Sequence, residues 1–170
     1  MEFNFKELST DTQVALMLVA AKKLILPLQN EKMRKAVGLC CEWLKNKSVS
    51  AMELYLLCDV EAEDNVVDVD LELNGEHEIY AWDAAIYAIL FTTATAFYHE
   101  GETALAQDLD LFQLTGRDDY CWYEGDSWFE GSFKRNCREI GFPIAELEEI
   151  AQKSDGLSVL MEMLEDSESK

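Results

Sequence analysis

The sequence predicts an all-α fold, a single-domain bundle of about seven helices, on three observations. Apolar residues recur at three- and four-residue steps across residues 14–25, 33–44 and 79–97. Ser9, Thr10 and Ser50 precede helical windows, and Pro27, Gly101 and Gly116 follow others, where helices start and stop. Only residues 67–73 alternate with the period of a strand.

Ser9, Thr10 and Asp11 open the first helix, with Thr10 and Gln13 in capping-box spacing. Val14, Leu16, Met17, Leu18, Ala20, Ala21, Leu24 and Ile25 make it apolar over more than half its circumference, which predicts a central position. Pro27 should end it. The second helix is expected over residues 30–46. Lys32, Arg34, Lys35 and Lys45 fall on its outer face, and Met33, Val37, Cys40, Cys41 and Leu44 face inward. Ser50 and Glu53 form another capping box, opening a third helix that runs to about Leu57.

The alternating run Val67-Asp68-Val69-Asp70-Leu71-Glu72-Leu73 ends in Asn74-Gly75, a strong hairpin-turn signal. No return strand follows, and a lone strand leaves its backbone groups unpaired. A short helix with an Asn-Gly cap is therefore preferred, with a short β-hairpin or irregular segment near residues 66–78 as the alternative.

Residues 79–99 read as one long core helix. Trp82, Ala85, Ile86, Ile89, Leu90, Thr93, Ala96 and Phe97 keep its spacing, and Gly101 supplies the stop. Residues 104–114 read as a further helix and residues 118–131 as a loop or irregular helix entry. Residues 132–140, 144–153 and 157–166 read as short helices punctuated by Gly141, Pro143 and Gly156. The domain takes in residues 1–170, with residues 165–170 as a frayed acidic tail.

Charge is the most one-sided property of the chain. Residues 48–116 hold no lysine or arginine and fifteen aspartates and glutamates, whereas residues 1–47 carry a net of +3 and residues 117–170 a net of −8. A total of −20 argues strongly against binding to nucleic acid or an anionic membrane, both of which demand basic patches. It favours a basic protein partner, or cations held by carboxylates. Residues 59–78 concentrate the field, with nine acids and no base.

Chemistry has few candidates. Cys40, Cys41, Cys58, Cys121 and Cys137 include no CxxC spacing, and five is an odd count for a disulfide scaffold, so reduced, buried thiols in a cytoplasmic protein are expected. The N-terminus shows no basic stretch followed by an apolar core, so no secretory signal is expected. Asp68, Asp70 and Glu72 superficially resemble a calcium loop, but Leu73 occupies its glycine position. Glu146 with Glu149 and Glu162 with Glu165 form two ExxE pairs on successive helices. Those pairs resemble the magnesium sites of all-α nucleoside-triphosphate pyrophosphatases, one alternative function; an acidic adaptor or regulatory subunit is another. His77 and His99 have no nucleophile in a recognisable spacing. The expectation is a protein that is not an enzyme and takes no metal or cofactor.

In residues 118–131, Tyr120, Trp122, Tyr123, Trp128 and Phe129 interleave with Asp118, Asp119, Glu124, Asp126 and Glu130. Aromatic contact area beside carboxylates that accept bidentate arginine bonds suits a surface gripping a basic protein. The competing reading is that the large rings plug the end of the bundle while the acids face water.

The opening helix LSTDTQVALMLVAAKKLI, the long helix YAWDAAIYAILFTTATAFYHE and the acidic YEGDSW segment resemble a family of bacterial immunity proteins, numbered six among those of polymorphic toxin systems. The resemblance implies a mostly helical cytoplasmic protein that binds and neutralises a cognate toxin. Many such toxins are nucleases, basic because their substrate is an anion. On this expectation Asp64, Asp68, Asp70, Glu72 and Glu76 form the main contact surface. Asp119, Trp122, Glu124, Asp126 and Trp128 form a second patch.

Overall fold

Two apolar helices, α1 (Thr10–Ile25) and α4 (Glu76–His99), lie against each other at the centre of the computed structural model. The structure describes residues 3–58, 62–63, 65–66, 76–102 and 133–168. Around the central pair stand α2 (Glu31–Asn46), α3 (Ala51–Leu56), α5 (Lys134–Glu139), α6 (Ile144–Gln152) and α7 (Gly156–Glu168). Short 3₁₀ turns occupy Phe5–Glu7 and Leu26–Leu28. The described residues are all-α, with seven α-helices and no strand among them.

Val14 to Ala21 are all buried, so α1 is enclosed on every side, as its apolar circumference predicts. It packs against α4, α7, α2 and α6. Its cap is Ser9 rather than Thr10: Ser9 Oγ accepts from the Thr12 N–H at 3.2 Å, which places Thr10 inside the first turn. Pro27 sits in the 3₁₀ turn that ends α1, and Gln29 turns the chain with φ 50°. Asn30 then caps α2 through the Met33 N–H at 2.9 Å. In α2, Met33, Val37, Cys40, Cys41 and Leu44 are buried and Arg34, Lys35 and Lys45 exposed, as the spacing predicts.

The long helix α4 starts at Glu76, three residues before the expected Ile79. Its polar first turn carries no apolar signal. It is helical nonetheless because acidic side chains suit a helix N-terminus and His77 Nε2 donates to the Ile140 carbonyl at 3.2 Å. Residues 76–78 of the ambiguous 66–78 segment are therefore helix; residues 67–75 lie outside the described residues, as does the helix expected over 104–114. By length and composition α4 could cross a membrane, yet 83% of that window is buried within the protein, against α1, α2, α3 and α5. Its buried hydroxyls stay satisfied: Thr92, Thr93 and Thr95 donate to the carbonyls of Ala88, Ile89 and Phe91 at 2.7–2.8 Å. Gly101, with φ 80°, ends the helix, and the Glu102 N–H returns to the Phe97 carbonyl at 2.8 Å.

Gly141, with φ 72°, closes α5 the same way, the Phe142 N–H reaching the Cys137 carbonyl at 2.9 Å. At the α6–α7 turn, a Cβ on Gly156 would lie 2.5 Å from the Ile150 carbonyl oxygen, so only glycine allows the backbones this close. Helix α7 continues to Glu168 through residues expected to fray. Lys22 Nζ donates to the Leu164 carbonyl at 3.0 Å and Lys45 pairs with Glu165 at 3.5 Å.

Candidate partner-binding surface

Charge separates along the chain into two regions of the fold. The basic N-terminal segment forms α1 and α2, and Arg34, Lys45 and Lys47 find acids close by. Lys47 lies 3.2 Å from Asp11 and Arg34 3.2 Å from Glu31. The base-free segment forms α3 and α4; of its described acids, Glu53, Glu63, Glu100 and Glu102 are exposed, and Glu78 and Asp83 are half-buried.

Helix α3 is capped at its start and tied from there to α4. Ser50 Oγ accepts from the Glu53 N–H at 3.1 Å, the expected capping bond. Glu100, arriving from the end of α4, accepts the Ala51 N–H at 2.6 Å on its Oε2. A carboxylate here meets the positive end of the α3 peptide dipoles. Seven residues after Ala51, the Cys58 thiol lies beside the Thr93 hydroxyl, so α3 runs antiparallel to the last turns of α4. The Val66 N–H then returns to the Leu57 carbonyl at 2.8 Å, and Val66 is buried.

Behind the hairpin lies a knot of thiols. Cys40, Cys41 and Cys58 are buried thiols in no disulfide, as is Cys137 near α6. Burial raises the Cys40 thiol well above the ordinary range, reinforced by Cys41 and Cys58 and opposed by the Thr92 hydroxyl. Burial pushes Cys58 up to about 12, opposed by Thr93. Cys137 is pushed up to about 12 by burial and by the negative charge of Glu148. Thiols this hard to ionise are packing groups, not nucleophiles.

At one end of the bundle Trp43 is fully buried, with His99 edge-on at 6.0 Å and Lys47 Nζ at 4.7 Å from its ring. His77 is exposed, yet its ring ties α4 to the end of α5.

Of the expected contact residues, Glu76 is the first residue of α4. Asp64, Asp68, Asp70 and Glu72 lie outside the described residues, and so does the whole second patch of Asp119, Trp122, Glu124, Asp126 and Trp128. Glu146, Glu149, Glu162 and Glu165 are exposed, and among the described residues no three acidic, histidine or cysteine side chains gather as a metal would need.

Two features escape the sequence reading. Met52 and Leu56 on α3 are 48% and 44% exposed, because α3 is apolar nearly all round and packs by one face only. The segment AMELYL has one polar residue in six, which was the available signal. The second is Glu148, buried with Lys134, between the two glutamates weighed as an ExxE pair. Its place in the stripe Ile144, Leu147, Glu148, Ala151 marked it as inward-facing.

The family described as Immunity protein Imm6 matches the chain over residues 12–119, which takes in the whole base-free segment. No curated protein and no solved structure matches the chain.

Proposed function

Because the chain belongs to the Immunity protein Imm6 family, we propose that it neutralises a cognate basic toxin by binding it through the acidic surface of its base-free segment. The observation that carries this reading is the coincidence of the family match, residues 12–119, with the segment of fifteen acids and no base, residues 48–116. A nuclease is the kind of toxin such a surface suits, since the cleft that binds a polyanion is cationic. Opposite fields draw the partners together, raise the association rate, and orient the acids toward the catalytic cleft. Asp64, Asp68, Asp70, Glu72 and Glu76 form the main contact patch, with Asp119, Trp122, Glu124, Asp126 and Trp128 as the second. The protein acts stoichiometrically, in the cytoplasm of the cell it protects, without catalysis or cofactor.

The test is co-expression with the toxin domain encoded directly upstream of this chain's gene. Cells carrying both should grow and cells carrying the toxin alone should not. Reversing Asp68, Asp70 and Glu72 to lysine should slow association and flatten its dependence on salt. Growth arrest despite the wild-type chain would remove the proposed activity. Unchanged rates for the triple variant would remove the patch alone.

A further inference from the structure

The geometry points to the outer face of α3, with Met52 and Leu56 as apolar anchors and Glu53 beside them, as a docking surface. Its occupant is a segment of the toxin that presents an apolar side chain between lysines or arginines. This rests on the reading of the partner as a basic toxin and adds a place where that partner is held.

Met52 and Leu56 stand four residues apart, one above the other on the helix, and Glu53 lies within the same third of its circumference. Ala51 and Leu54, on the opposite side, are fully buried. Exposed methionine and leucine in register present apolar area that water covers at a cost, and a partner relieves it by covering them.

The identity of the occupant follows from charge. On the same helix Glu53 is exposed, Glu100 meets the start of α3 at the Ala51 N–H, and Glu63 and Glu102 of the same base-free segment are exposed as well. The nearest base before α3 in sequence, Lys47, is held by Asp11 and the Trp43 ring, and the next base after it is Arg117. Leu56 is followed three residues later by Asp59, where the stretch of nine acids begins. A second copy of this chain, of net charge −20, would set acids against acids over the same face. A cationic partner is attracted there, and its apolar side chain then meets Met52 and Leu56 out of water, the arrangement of an interface hot spot.

The experiment measures binding of the upstream-encoded toxin domain, inactivated by mutation, to the full chain and its variants. Met52→Ser with Leu56→Ser should speed dissociation at least about tenfold while leaving association within about twofold. Glu53→Lys should slow association and weaken its salt dependence. Leu26→Ser, at an apolar side chain exposed on the turn after α1, should bind like the wild type. Hydrogen exchange on the wild-type complex should show the α3 amides protected, a reading that stands even if the double variant fails to fold. Dissociation of the double variant within about twofold of wild type, or α3 amides left unprotected, would overturn the assignment. So would a wild-type dimer that the double variant converts to monomer, since a second copy would then cover the face. Wild-type chain that neither binds nor protects defeats the proposed function itself; binding with α3 untouched defeats only this assignment.

Discussion

Lys134 Nζ lies 2.7 Å from Glu148 Oε2, joining α5 to α6, with the two side chains only 13% and 8% exposed. The ammonium stands off the direction of a well-aligned hydrogen bond to that oxygen, so the attraction is chiefly Coulombic. The Phe3 ring, 5.6 Å from the same ammonium, adds a second partner. Removing one ion would leave the other buried without compensation. Lys134→Met should therefore destabilise by about 3–5 kcal/mol, and Lys134→Met with Glu148→Leu should recover most of that loss. Chemical denaturation of the three proteins checks this; a Lys134→Met change under about 1 kcal/mol would count against the pair.

Glu100 is the second long-range clamp. Its carboxylate accepts the Ala51 N–H that begins α3, a bond across forty-nine positions of sequence. Glu100→Ala should cost about 1 kcal/mol in stability, and Glu100→Gln less, because the amide oxygen still accepts. Ser50→Ala should cost a similar amount through the Glu53 N–H. Faster hydrogen exchange in α3, with little change in α1, distinguishes these cap losses from damage to the core.

Gly156 makes a steric prediction. The Ile150 carbonyl oxygen would lie 2.5 Å and the Ala151 carbonyl oxygen 2.7 Å from an added methyl, and both are backbone atoms that cannot swing aside. Gly156→Ala should destabilise by about 1–3 kcal/mol even though alanine favours helix. Gly38→Ala, where nothing approaches within 4 Å, should be neutral or stabilising. Thermal melts of the two variants should therefore move in opposite directions or differ by several degrees.

The buried thiols give a pH dependence. Cys58 and Cys137 rise from an ordinary value of 9.0 to about 12 in the fold, chiefly by burial. Their protonated form is the one the fold accepts. The unfolded chain sheds these protons first as pH rises, so the stability tied to them is complete below about pH 9 and is lost toward pH 12. Urea midpoints should fall more steeply above pH 9 in wild type than in Cys58→Ala with Cys137→Ala. In a Cys121→Ser background, a thiol reagent should leave the native protein unlabelled and label the remaining four cysteines in denaturant.

Much of this architecture could be read from residue order. Local signals named α1, α2, α3 and the body of α4, because caps, glycine stops and three-to-four spacing act within a few residues. The boundaries that moved had nonlocal causes: α4 gains its first turn beside the Ile140 carbonyl, and α7 reaches Glu168 beside Lys45 and Lys22. The acids of the expected contact patches were legible as a charge concentration, which is additive and needs no fold.

By itself the sequence determined the helical class, the enclosed centre of α1, the inward thiols and the concentration of negative charge in residues 48–116. Those are properties of short-range periodicity and composition. Only the tertiary structure decided that Glu148 turns inward to Lys134, that Glu100 caps a helix begun at Ala51, and that Met52 and Leu56 stay on the surface. In each case the deciding contact joins residues far apart in the chain, or leaves one face without a neighbour; periodicity along a single helix can mark a face as inward but cannot name what meets it.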